Sequence, residues 1–283
     1  MKYLTLASAG RLTGLANMLE QLGHDTEDIL IARGMEAPYL FVSDAEGYKA
    51  GCRLFHPQWM NLYLHPHGFH SKEERIAAAD LPLYLRTNAP AMMTLNVGNG
   101  VVRPVVCSSY AEGKYTFINI KPAFSAEPDT FTLTTATLKR RLTDSSVVLT
   151  VDRCIPTAAD VVTPLLASLR TLNAYLPDVM SARMKTVTRE EFAHLQERLF
   201  RPLMQDLLPM MPLTNDSILA EELRLLNHDY RHVFTCNDGD TVALEDKLPR
   251  NSIRQCVTWL REDILDRLDA LGVSDELIDT FCK

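Results

Sequence analysis

The chain has 283 residues, 46% of them apolar and 23% charged, with a formal net charge of −7 and a pI near 5.6. This is the composition of a folded globular protein, long enough for one large domain or two modest ones, and it excludes disorder. The acidic balance gives no electrostatic footprint for nucleic acid or an anionic membrane, and no run approaches the roughly 20 apolar residues of a membrane span.

Gly10 to Gly23 reads as a buried helix closed by glycine. Asp25-Thr26-Glu27-Asp28 reads as a capped start for a short helix to Ala32, stopped by Gly34. Strands are predicted over residues 39–42 and 48–55, around the turn Asp44-Ala45-Glu46-Gly47. Residues 57–64 read as helical and lead into the histidine-rich loop His65-Pro66-His67-Gly68-Phe69-His70. Ser71-Lys72-Glu73-Glu74 fits a capping box and predicts a helix to about Asp80, with Leu81-Pro82 breaking it or starting a second helical turn. Three strands follow, over 91–97, 101–109 and 115–120, punctuated by Gly98-Asn99-Gly100 and Ala111-Glu112-Gly113-Lys114. Residues 130–134 add an edge strand, 135–142 a helix and 147–151 a further strand. The basic run Lys139-Arg140-Arg141 reads as a solvated helix face.

From Pro156 the apolar spacing turns helical throughout. Thr157 is expected to cap a helix to Leu176 that Pro177 ends, and Thr188-Arg189-Glu190-Glu191 to open a second, reaching about Leu208. A third starts at Asn215 or Asp216 and ends near Cys236, a fourth spans 251–271, and 274–281 form a short last turn. The fold class is therefore α+β: a helical layer on an antiparallel sheet over residues 1–156, followed by an all-helical region over 157–283. The cysteines, at 52, 107, 154, 236, 256 and 282, include no Cys-x-x-Cys pair, which predicts free thiols in a reducing compartment. The first residues hold too short an apolar run for a signal peptide, so the expected location is cytoplasmic.

The helix Gly10-Arg11-Leu12-Thr13-Gly14-Leu15-Ala16-Asn17-Met18-Leu19-Glu20-Gln21-Leu22-Gly23 resembles the active-site helix of the bacterial bacteriocin-processing, double-glycine cysteine peptidases. A second likeness runs to the butirosin-biosynthesis protein H-like acyltransferases, which share the papain-like layout. With Gly23 matched to the glycine closing that helix, Gly10 falls on the nucleophilic cysteine. The strands Val101-Val102-Arg103-Pro104-Val105-Val106-Cys107-Ser108-Ser109-Tyr110 and Lys114-Tyr115-Thr116-Phe117-Ile118-Asn119-Ile120-Lys121-Pro122 resemble the family's strand pair. Arg103 then stands at the histidine position and Lys121 at the aspartate position. The family's oxyanion glutamine has Ser8 as its sole polar substitute. Thiol catalysis needs a sulfur, a base and an orienting group of negative charge. Glycine cannot attack, arginine cannot act as a base, and lysine brings the wrong sign. The resemblance thus implies a papain-like module without catalytic residues. Its cleft would hold a peptide, acyl-carrier or protein segment, with Arg103, Lys121, Ser8 and Arg11 as binding candidates for an anionic group. The same cations paired with local carboxylates, and binding nothing, is the other reading.

Other constellations compete. His65, His67 and His70, with His56 and Cys52 upstream, are candidate zinc or nickel ligands, set against a hydrogen-bonded surface loop. His228-Asp229-Tyr230-Arg231-His232 has zinc-helix spacing but aspartate in place of the zincin glutamate, and reads as a polar helix face. Cys52, four residues before His56, and Cys107 are candidate displaced nucleophiles. No Gly-x-Ser-x-Gly elbow and no glycine-rich phosphate loop is present, and no cofactor is implied. Three functions stand: a non-catalytic binding module, an active thiol peptidase or acyltransferase, and an interaction protein self-associating as a homo-oligomer through its helical half.

Overall fold

The computed structural model describes residues 1–6, 9–98, 100–142, 145–213, 217–235, 241–243 and 250–282. Ser8, Cys236, the start predicted at Asn215 or Asp216, and the glycine turn after Gly98 at Asn99 lie outside the described residues. In chain order the elements are α1 Gly10–Gln21, α2 Asp28–Gly34, β1 Phe41–Asp44, β2 Gly47–Ala50, α3 Pro57–Leu64, β3 Phe69–Ala77, α4 Leu81–Thr87, β4 Ala91–Gly98, β5 Val101–Ala111 and β6 Lys114–Asn119. There follow β7 Thr130–Thr134, α5 Thr135–Arg140, β8 Ser145–Arg153, α6 Val162–Arg183, β9 Thr186–Thr188, α7 Arg189–Leu195, α8 Ser217–Thr235, β10 Thr241–Ala243, α9 Arg250–Ala270 and α10 Asp275–Cys282. The protein is α+β, with helices packed on a six-stranded antiparallel sheet and a largely helical C-terminal region. No described helix is long and apolar enough to cross a membrane.

The chain forms two compact units, one of Met1–Met35 with Phe55–Ala159, the other of Glu36–Leu54 with Asp160–Lys283. The first holds the sheet, in the order β3-β8-β4-β5-β6-β7. Its central strands are apolar on both faces, as strands covered twice must be. Ala91, Met93 and Leu95 of β4, with Val105 and Cys107 of β5, join Leu81 and Leu85 of α4 and Leu138 of α5 in one core. The opposite parity, Met92 and Val106, meets α1 at Gly14, where an added Cβ would lie 2.3 Å from Met92 Sδ. Glycine there lets helix and sheet approach closely.

The helix predicted over residues 71–80 is a strand. β3 pairs with β8 along its whole length, from Phe69↔Arg153 to Ala77↔Ser145. Ser71, expected as a cap, is buried instead, and its N and Oγ both donate to Asn61 Oδ1, at 2.8 and 2.9 Å. The Lys- and Glu-rich sequence that looked helical suits a sheet edge, where charge discourages further strand pairing. The capping expected at Asp25–Asp28 is also replaced: the residue before α2 makes no side-chain cap hydrogen bond.

In the second unit the β1–β2 hairpin, expected with the N-terminal half, packs with C-terminal helices. Phe41, Tyr48 and Tyr175 form an aromatic cluster with centroids 4.9–5.9 Å apart, and Phe41 N donates to Ser168 Oγ at 3.0 Å. α6 starts later than Thr157, where the Asp160 carboxylate accepts from Val162 N and Thr163 N. It also runs through Pro177. Proline forfeits one backbone donor, and the buried flank of Leu165, Leu169, Leu172, Tyr175 and Val179 sustains the helix past it. The capping box at Thr188 and Glu191 forms as the spacing predicts. β9 pairs with β10 in a short antiparallel ribbon, so this region is not wholly helical.

Candidate functional site

The N-terminal segment leading into α1 is held by Asp28. Its Oδ2 accepts from Leu6 N at 3.3 Å and Thr13 Oγ1 at 2.8 Å inside the protein, and from Thr5 N at 2.9 Å nearer the surface. This ties the chain just ahead of Gly10 to the first turn of its own helix. Ala9 precedes Gly10 and offers no side-chain cap. Nothing in the backbone demands glycine at position 10, since a Cβ there would meet Pro104 Cγ at 3.7 Å and Ile120 Cγ2 at 3.8 Å, ordinary contacts. The missing side chain instead leaves space. Gly10 opens into a cleft of about 380 Å³ walled by Leu4, Phe55, Pro104, Ile120 and Pro122, with Arg11 and Arg103 at its margins.

Both arginines are occupied. Arg103 makes a two-pronged ion pair with Glu127, Nη1 to Oε2 at 2.6 Å and Nη2 to Oε1 at 3.0 Å. The Arg103 guanidinium, helped by Asn119, holds the Glu127 carboxyl below its ordinary range. Arg11 pairs with Glu73 of β3 and lies over the Phe55 ring, 5.6 Å from its centre. Lys121, between two wall residues, does not line the cleft. Its side chain is buried, where Nζ donates to Ser125 O at 3.0 Å and Glu127 O at 2.6 Å and pairs with Asp129 at 2.7 Å. Lys121, with the Tyr3 hydroxyl, lowers the Asp129 pKa. The structure thus brings Gly10, Arg11 and Arg103 to one cleft, directs Lys121 elsewhere, and leaves Ser8 outside the described residues.

The candidate nucleophiles are poorly placed for attack. Cys52 sits on a 3-10 turn rather than the predicted strand, fully buried, with its thiol donating to the Asp206 carbonyl. Burial, with Asp206 beside it, pushes its pKa to about 12, and burial does the same to Cys107. Both therefore stay as thiols at neutral pH, while the thiolate is the reactive form. His56 Nδ1 accepts from Gln58 N at the start of α3. In the histidine loop, His65 Nε2 lies 3.0 Å from His70 Nδ1, and Asn61 Nδ2 approaches the same His70 atom at 3.3 Å. His67 turns away, stacked on Tyr63 with Nδ1 2.7 Å from Tyr63 O. Among the described residues no three potential ligands converge on a metal position. The two-histidine spacing at His228 lies on α8.

Sequence reasoning missed the carboxylates that organise this site: Asp28, Glu73, Glu127 and Asp129. Arg11 and Glu73 are 62 positions apart and Arg103 and Glu127 are 24 apart, so no spacing rule links them. Asp28 carries one signal, an acid directly before the apolar run Ile29-Leu30-Ile31. That signal was read as helix capping. Compared by sequence with protein-family models and with curated proteins, the chain matches none.

Proposed function

We propose that this protein is a non-catalytic binding module of papain-like ancestry that holds an apolar peptide or carrier segment in the cleft at the start of α1. One observation supports this above the others: a helix begins with a residue that has no side chain, and the space so left is walled by Leu4, Phe55, Pro104, Ile120 and Pro122. Clefts that are mostly apolar with few polar groups are the usual form of a binding site. Arg103 and Arg11, already matched by Glu127 and Glu73, shape the rim and leave the interior suited to an uncharged segment. The absence of a nucleophile at Gly10 and the buried thiols of Cys52 and Cys107 favour binding over cleavage. At Gly10 an added Cβ would already touch Pro104 and Ile120, at 3.7 and 3.8 Å, which favours a ligand with small residues at its tip.

The test uses a fluorescein-labelled apolar peptide ending in Gly-Gly with an amidated C-terminus, so that the segment entering the cleft is uncharged. The native protein should bind it reversibly and leave it intact by mass spectrometry. Gly10→Leu, which fills the cleft from below, should weaken binding by about tenfold or more, about 1.4 kcal/mol. Cleavage of the peptide, or equal affinity in the Gly10→Leu variant, removes the proposal.

A further inference from the structure

The basic run at the end of α5 does more than face solvent. The helix stops at Arg140 and Arg141 follows in the turn, at the end of the sheet where β4 runs out and β5 and β8 begin. There a concavity of about 510 Å³ is lined by Thr94, Asn96, Arg140, Arg141, Ser145 and Ser146, with apolar contacts from Val102 and Val147. No carboxylate lines it among the described residues. Arg141 is anchored, with Nη1 donating to Asn96 O at 3.4 Å and Val97 O at 3.2 Å. Those carbonyls orient the guanidinium without cancelling its charge. Arg75 adds a third cation at the margin, donating through Nη1 to Ser145 Oγ at 3.2 Å. The Arg140 guanidinium and the hydroxyls of Thr94 and Ser146 have no partner among the described residues.

We propose that this concavity is an anion site that takes the phosphate group of a small molecule. The chemistry is that of phosphate recognition: planar guanidinium forks that match phosphate oxygens, and hydroxyls that donate to the remaining ones. Among the described residues its lining carries a single sign of charge, in a chain of net charge −7. A hydrophobic ligand would leave these donors unsatisfied, and a cation would meet the guanidinium groups of Arg140 and Arg141. The site shares no lining residue with the cleft at Gly10, so either proposal can fail without the other.

The experiment is calorimetric titration of the full chain with inorganic pyrophosphate and, separately, inorganic phosphate at constant ionic strength. Saturable binding of at least one is expected. Arg140→Ala should weaken it about tenfold, the usual effect of losing a charge-assisted hydrogen bond, and Arg140→Glu should abolish it. Arg140 is exposed, so both variants should keep the native circular dichroism. Lys185→Glu, an equal charge change at an exposed position in the other unit, should leave binding unchanged. The proposal is overturned by absence of saturation with both probes, by binding that survives Arg140→Glu, or by Lys185→Glu weakening it as much.

Discussion

Asp28 shows how one side chain can set the geometry of a site it does not touch. It is almost fully buried, and one carboxylate oxygen takes three donors from the segment ahead of α1 and from its first turn. Hydrogen bonds to a charged group are worth about 1.5–3 kcal/mol each, and a buried donor left unpaired adds its desolvation cost. Asp28→Ala should therefore destabilise the protein by about 3 kcal/mol, read as a lower urea midpoint at unchanged slope, while Asp28→Asn, which keeps an acceptor, should cost less. A loss below about 1 kcal/mol for the alanine variant would show that the network is ornamental. In the sequence this residue was visible only as part of an acidic helix start. Its true partners lie in another segment, and local pattern says nothing about them.

Elements formed as predicted where a local rule had no rival. α3 begins at Pro57, whose fixed φ suits a first helical position, and ends at Leu64 as expected. The Thr188–Glu191 capping box closes on itself within four residues. Where two rules competed, tertiary pairing decided. Ser71-Lys72-Glu73-Glu74 satisfied a capping pattern, yet β8 offered a full ladder of backbone partners and the strand won. Glycine separates the same two cases. A Cβ on Gly51 would lie 1.8 Å from the Ala37 carbonyl oxygen and 2.5 Å from its carbon, and backbone cannot give way as a flexible side chain can. Gly51→Ala should thus cost about 1–3 kcal/mol, the range for overpacking, whereas Gly10→Ala should be close to neutral. Paired thermal melts of the two variants decide it, and similar midpoints would contradict the close approach at Gly51.

At the scale of the whole molecule, the resolved carboxylate shifts point mostly one way. Asp25 beside Lys2, Asp44 beside Lys49, Glu127 beside Arg103, Asp129 beside Lys121, Asp160 bonded to Thr163 and Glu191 bonded to the Thr188 backbone are all lowered. Asp206, raised by burial, opposes them. A carboxyl lowered on folding adds stability above its unfolded pKa and loses it as pH falls through the folded value. Stability should accordingly fall as pH drops below about 4, and Asp129→Asn should flatten that acid limb in a Tm-against-pH series; superimposable curves would deny the linkage. What the sequence determined by itself is what neighbours along the chain can decide: the α+β class, the helix at Gly10 with no side chain at its first residue, and the hairpins from β4 to β6. The tertiary structure alone decided that residues 36–54 pack with C-terminal helices, that Arg103 and Lys121 meet carboxylates, and that Arg140 borders a concavity. Hydrogen-bonding patterns and apolar periodicity act over a few residues and are written locally, whereas charge pairing and enclosed space arise between segments far apart in the chain and exist only once it has folded.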